Sequence, residues 1–355
     1  MDRSSLSQRF AGDGTQKWKT FVLEAHPPQK PADLLRETFP GALVEQTQDV
    51  HLHELRVNDA SFIVDTINER FWSFHTSDSA VKTRKPIAAA VSSNHQLDFV
   101  WLPTSHLRAL EHYGRVKFVS SDFRAGRFRG SDMVHDLSFT ARGGTSQKLL
   151  DAIEGLPQYN YALNLDRIGV LASDDLLGKV EEAVSRKAIF LAQGQSFVLH
   201  QQLVADTIGR YRKLVTVAES LALGLESMGD SHNEELGWTI VGGPIELKFS
   251  EPLRDFEGFV EQLLSSRAPF RLWGLVDDFT DRYASIEAVD LHVGGRFRIE
   301  TSPEMIRVHL RKGGCGNTIA RLASNIQHHI DGGVSATEPS LQEQLELAPA
   351  VSFVG

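Results

Sequence analysis

Apolar residues recur with period two in the first and last thirds of this chain, and at alternating steps of four and three between residues 197 and 227. Strands therefore dominate both ends, and a long helix separates them. From Lys17 onward, KTFVLEA predicts a strand. ADLLRETF, behind Pro31, predicts a short helix. ALVEQT, VHLHELRV, SFIVDTI and RFWSFHT then predict four strands rich in β-branched and aromatic residues. A helix near IAAAVSS and an apolar strand, LDFVWLP, follow.

The last third has the same order. WTIVGGPIELKF gives one or two strands, and Pro252 opens a helix with Leu253, Phe256, Val260, Leu263 and Leu264 on one face. RLWGLV, ASIEAVDLHV, RFRIET and MIRVHL give four strands, and a closing helix carries Ile319, Leu322, Ala323, Ile326 and Ile330. LRVNDASFIVDTINERF and LHVGGRFRIETSPEMI match in turn and strand length but mostly not in side-chain identity, so a duplicated fold is expected. Strand, helix, four strands, helix resembles one half of the TATA-binding-protein saddle in topology, an order that by itself implies no function.

Between the repeats, RVKFVS, VHDLSFTA, NYALNL, RIGVLA, VEEAV and KAIFLA read as strands, with helices near 104–112 and 145–154. Along the long helix, Val204, Ile208, Tyr211, Val215, Ala218, Ala222 and Leu225 form a coiled-coil seam. That seam serves either as a buried stripe or as a homo-oligomer contact through residues 197–227. The fold class is α+β, with mixed or antiparallel sheets and helices packed on one face. Its expected parts are a flexible tail at 1–15, an N-terminal and central lobe at 16–195, a connecting helix and linker at 196–231, a C-terminal domain at 232–335 and an acidic flexible tail at 336–355.

Composition narrows the class. Hydrophobic residues are 41% and charged residues 23%, the balance of a globular chain, and one cysteine among 355 residues allows no internal disulfide. With no apolar signal or spanning segment, the expectation is a cytoplasmic protein without a membrane partner. A net charge of −9 disfavours a uniformly basic surface and leaves room for a local one.

Two loops carry the anion chemistry. In ARGGTS, Arg142 precedes Gly143 and Gly144; in RKGGCGNT, Arg311 and Lys312 precede Gly313 and Gly314. Each runs from a strand into a helix, so open backbone N–H groups, the helix dipole and adjacent cations suit a phosphate or carboxylate. The competing role is a tight turn with Thr145, Asn317 or Thr318 as helix cap. Neither matches a phosphate-binding or dinucleotide motif, and no cofactor is implied. Cys315 has no base on its own helix nearer than His328 and His329, so it is better read as a small turn residue than as a nucleophile. His51 and His53 alternate on a strand and would face the same way, but no third metal ligand is specified nearby. IELK resembles a nuclease strand that lacks its preceding acid.

The strongest electrostatic feature is RVKFVSSDFRAGRFRG. Arg115, Lys117, Arg124, Arg127 and Arg129 are interleaved there with Phe118, Phe123 and Phe128, a combination that grips phosphates and stacks bases. Arg296 and Arg298, together with Arg307, Arg311 and Lys312, form a second basic group, diluted by Glu300 and Glu304. No assembled catalytic constellation is visible. The leading expectation is a non-enzymatic protein that binds DNA or RNA through its Arg-rich loops. The alternatives are a protein-interaction scaffold that oligomerises along the long helix, and an enzyme that holds a phosphorylated substrate in its glycine loops.

Overall fold

A computed structural model of the chain describes residues 2–12, 14–27, 29–128, 130, 136–156, 159, 162–228 and 237–347. The N-terminal stretch expected to be a tail carries helix α1 (Arg3–Ala11), capped by the Asp2 side chain. Its Leu6 and Phe10, one turn apart, are both buried; two apolar positions in a polar segment are too few to register as a period.

The first repeat is β1 (Lys17–Ala25), α2 (Pro31–Thr38), β2 (Leu43–Gln46), β3 (Leu52–Val57), β4 (Ala60–Asp65), β5 (Phe71–Thr76) and α3 (Ala80–Ser93). Its strands pair antiparallel in the order β2-β3-β4-β5-β1. Phe21, Leu23, Phe62, Val64, Trp72 and Phe74 share a core with Leu34 and Leu35 of α2 and Ile87 and Val91 of α3. The central segment continues through β6 (Leu97–Phe99), α4 (Thr104–Arg108), β7 (Gly114–Arg124), β8 (Asp136–Arg142), α5 (Ser146–Glu154), β9 (Leu165–Asp174), β10 (Gly178–Ser185) and β11 (Ile189–Gly194). It extends the first sheet to β2-β3-β4-β5-β1-β11-β10-β9-β7-β8, with β6 also on β1. NYALNL, expected as a strand, lies partly outside the described residues; Ala162–Asn164 belongs to no strand.

Helix α6 (Phe197–Ser220) ends earlier than its apolar spacing suggests, because Leu225 lies in β12 (Gly224–Met228), which pairs with β13 (Gly237–Val241) as a separate ribbon. The other seam residues, Val204 through Ala222, are buried within the chain. Two compact units divide the protein. Unit 1 is Met1–Asp122, Ser138–Gly155 and Leu165–Gly209; unit 2 is Phe123–Leu137, Leu156–Asn164 and Arg210–Gly355, so the division falls inside α6. Among the described residues no helix is long and apolar enough to cross a membrane.

In unit 1 the sheet face carrying Trp18, Thr20 and His75 is also covered. Phe10 of α1 lies 5.8 Å from the Trp18 ring and 5.2 Å from His200 of α6, and Phe197 lies 5.9 Å from His75.

The second repeat is β14 (Ile245–Lys248), α7 (Phe256–Leu263), β15 (Leu272–Thr280), β16 (Tyr283–Asp290), β17 (Arg296–Thr301), β18 (Met305–His309) and α8 (Asn317–His329). Its order, β15-β16-β17-β18-β14, is that of the first repeat. Helix α7 begins after Asp255, whose side chain accepts from Gly258 N, rather than at Pro252. The C-terminal stretch adds β19 (Ser335–Ala336) on β14 and α9 (Pro339–Glu346), which buries Leu341 and Leu345. Part of the expected acidic tail is thus a packed helix.

Candidate anion and nucleic-acid surfaces

The basic stretch 115–130 is divided by the fold. β7 pairs with β9 through Arg115↔Leu171, Phe118↔Gly169 and Ser120↔Arg167, with a register shift that leaves Lys117 as the extra residue. Cross-strand partners share a face, so Arg115, Phe118 and Arg167 all lie on one side, and that side is only half-buried. Gly169 allows the close approach: a Cβ there would meet Phe118 Cβ at 3.0 Å. The Arg142 guanidinium lies 5.1 Å from the Phe118 ring centroid, and Gly143 N donates to Lys117 O at 2.7 Å. The ARGG turn therefore docks on β7 and brings Arg142 beside Arg115 and Lys117. Gly143 itself has φ 90°, a backbone state that favours glycine, and Gly144 follows it into α5.

The remainder of that stretch does not serve as expected. Phe123 and Phe128 are buried, so neither ring can stack on a base. Arg127 lies over Phe128 at 4.8 Å, donates to Gly258 O at 2.9 Å and pairs with Asp255 at 3.4 Å, so it is engaged inside unit 2. Arg124 is exposed at the end of β7, and Arg129 lies outside the described residues.

The second basic group is neutralised where it stands except at Arg296. On the exposed face of the unit 2 sheet, Arg298 pairs with Glu300 at 3.5 Å and Glu287 at 3.9 Å, Arg307 with Glu246 at 2.7 Å, and Arg311 with Glu287 at 3.7 Å. Lys312 pairs with Glu226 at 2.9 Å. Arg296 is exposed one pair further along β17, opposite Val289. These contacts make the face a lattice of alternating charge with little net field. The Glu246–Arg307 pair also accounts for the glutamate of IELK.

The RKGGCG loop does meet an anion, and the anion is internal. Gly316 N, at the start of α8, donates to Glu219 Oε1 at 2.8 Å. Gly313 takes the turn at φ 84°, Gly314 lies against Leu310, and Cys315 is buried in the turn. The helix start is therefore closed by a carboxylate of its own unit. His51 lies exposed in the turn before β3 while His53 is buried, so the pair does not face one way. Burial, then Arg36, holds the His53 imidazole below its ordinary pKa. Asp331, next to His328 and His329, accepts from Ser250 Oγ and Gly333 N, both at 2.9 Å, and closes a turn.

Sequence reasoning missed a recess of about 280 Å³ on the same sheet face as Arg115, lined by Arg84, Phe99, Asp166, Arg167, Arg186 and Lys187 among others. Four cations face one carboxylate there. Lys187 Nζ lies 4.9 Å from the Phe99 ring and 5.0 Å from Trp101, while Arg186 pairs with Asp166 at 3.6 Å. Burial pulls the Arg186 pKa below its ordinary value, against the opposing pull of Asp166 and Asp122. Among the described residues Arg84, Arg115, Arg142 and Arg167 have no carboxylate partner. The available signal was the cation pair of SRKA in the turn between two apolar strands. Arg84 and Arg167 join it only through packing.

The family model for MJECL33-like protein matches residues 4–345. A relative from Methanocaldococcus jannaschii, the uncharacterized protein MJECL33, is 26% identical over 357 residues, covering 88% of this chain and 84% of the relative. Neither name specifies an activity.

Proposed function

This chain belongs to the MJECL33-like protein family, and from its own surface chemistry we propose that it binds nucleic acid along the half-exposed sheet face of unit 1, with single strands as the preferred form. The observation that carries the reading is the gathering of Arg84, Arg115, Arg142 and Arg167 without carboxylate partners around Phe118 and Phe99. Unpaired guanidinium groups take phosphates, and the partly exposed rings between them offer stacking surfaces indifferent to base identity. The acidic total does not oppose this, because acids such as Glu246, Glu287 and Glu300 neutralise the other basic group.

The test is fluorescence polarisation of labelled single-stranded DNA and RNA across a salt series. Each phosphate contact contributes about 0.7 to the log–log salt slope for single strands, so Arg115→Ala, Arg142→Ala and Arg167→Ala together should flatten it by about 2. Arg127→Ala should leave affinity unchanged, since its guanidinium is already engaged by Asp255 and Gly258. No binding at low salt, or a triple variant that binds like the parent, overturns the reading.

Association with protein is a second reading favoured by one observation. Leu225, Trp238 and Ile240, on one face of the β12–β13 ribbon, are 62%, 66% and 73% exposed. Light scattering should then show a multimer that Ile240→Asp dissociates; a parent protein monomeric at high concentration removes this reading.

A further inference from the structure

On the opposite face of the unit 1 sheet, four buried polar side chains form one hydrogen-bonded line. Glu182 Oε2 and His200 Nδ1 are 2.9 Å apart, His200 Nε2 and Thr20 Oγ1 2.8 Å, and Thr20 Oγ1 and His75 Nδ1 2.8 Å. Each of the four residues is at most 1% exposed. They come from β10, α6, β1 and β5, so only the folded sheet and its covering helix assemble them.

The line has a direction. A carboxylate only accepts, so His200 donates from Nδ1, and in its neutral form it keeps its lone pair on Nε2. The Thr20 hydroxyl then donates to His200, and His75 donates from Nδ1 to Thr20. This leaves a bare Nε2 on His75, an atom that is buried and has no hydrogen-bond partner. His75 lines a recess of about 440 Å³, together with Arg9, Trp18, Glu54, Arg56 and Ser61 among others. The charged or titratable groups acting on His75 are His200, Asp65 and Arg3. Burial first, then the repulsion that a protonated His200 would exert, lowers its pKa to about 3. Charge is therefore disfavoured on His75 itself, and a relay can hold it elsewhere.

We propose that this recess is a proton-accepting site in which His75 Nε2 takes a proton from a small polar molecule bearing an acidic O–H or N–H. As that bond breaks, the Nδ1 proton of His75 passes to Thr20 Oγ1, and the former hydroxyl proton of Thr20 passes to His200 Nε2. His75 ends neutral in its other tautomer, and Thr20 ends as a hydroxyl. The positive charge rests on His200 against the Glu182 carboxylate, and the conjugate base of the ligand is left in a recess lined by Arg9 and by Arg56, which is also paired with Glu54 at 3.2 Å. Protons and charge balance without any co-reactant. The site is independent of the basic face, and either can fail without the other.

Histidine-selective 15N labelling of the whole protein tests it. At neutral pH His75 should show Nδ1–H and a bare Nε2. On acidification His75 should exchange one tautomer for the other in step with His200 becoming doubly protonated. Thr20→Val should break this concert and Thr20→Ser should keep it. If Thr20→Val does not fold, His200→Gln serves in its place, since glutamine cannot take the proton and the His75 tautomer should stay fixed. A His75 found with Nε2–H at neutral pH, a His75 that gains a second proton in place of exchanging, or a Thr20→Val protein that responds like the parent overturns the relay. Acetohydroxamic acid, a small O–H acid, is the ligand probe. It should shift the His75 and His200 signals together in the parent and not in Arg56→Ala; silence in the parent overturns the ligand class.

Discussion

Asp290→Ala is expected to destabilise the protein by about 3–5 kcal/mol, the range for stranding a buried charge. Arg321 of α8 is 1% exposed, and its guanidinium is held by the equally buried Asp290 carboxylate, while Nε donates to Phe270 O at 2.8 Å. The same carboxylate accepts from Thr318 Oγ1 and, at 2.8 Å, from His292 N. Asn325 Nδ2 completes the cluster by donating to Pro269 O at 3.2 Å. Alanine would leave a cation in the core of unit 2 without the carboxylate that holds it. Urea unfolding measures the effect as a lower midpoint. Against a whole-protein stability of about 5–15 kcal/mol the shift is large. Pairing Asp290→Leu with Arg321→Met should restore most of the loss, because a buried ion pair contributes little over apolar residues of similar volume. A single variant within 1 kcal/mol of the parent, by order of magnitude, would show that water reaches the guanidinium.

Gly316→Ala should follow closely, at about 3 kcal/mol, the upper range for forced overpacking. Gly316 has φ −64°, which any residue can adopt, so its requirement is one of space. A Cβ there would lie 2.1 Å from Val215 O and 2.9 Å from Val215 Cα, both backbone atoms of α6. Relief would move α8 off α6 and break the bond from Gly316 N to Glu219. Gly313→Ala is the internal comparison. Its φ of 84° strains an L-residue, but nothing lies within 4 Å of the added carbon, so about 1 kcal/mol is expected. Thermal unfolding of both variants checks the order, and equal losses would mean that α6 and α8 separate easily.

Strand and helix positions were legible wherever a face was buried along its whole length. RFRIET against MIRVHL alternates because each strand buries one side, whereas SFIVDTI carries an apolar run, Phe62 to Val64, that is buried on both sides of the unit 1 sheet; the two repeats share one strand order. The two terminal helices escaped for one reason. Leu6 with Phe10, and Leu341 with Leu345, are single-turn pairs, and two apolar residues do not establish a period. The seam of α6 ran on to Leu225 because spacing alone does not register a chain leaving the helix at Ser220 to form a ribbon.

The candidate sites were less legible, since charge follows no period. The sequence supplied the arginines of RVKFVSSDFRAGRFRG as one group. Folding turned Phe123 and Phe128 inward, tied Arg127 to Asp255, and joined Arg115 and Arg142 to Arg84 and Arg167 from distant strands and helices. Similarly, Glu182 and His200 each occupy an apolar position in their own element, which marks them as buried; their alignment with Thr20 and His75 depends on sheet register and on the seating of α6. Local periodicity, an i,i+2 or i,i+4 property, determined the elements and which face each one buries. Which cations are neutralised, which glycines are crowded and which polar groups meet were decided by contacts between residues far apart in sequence, and only the tertiary structure sets those distances.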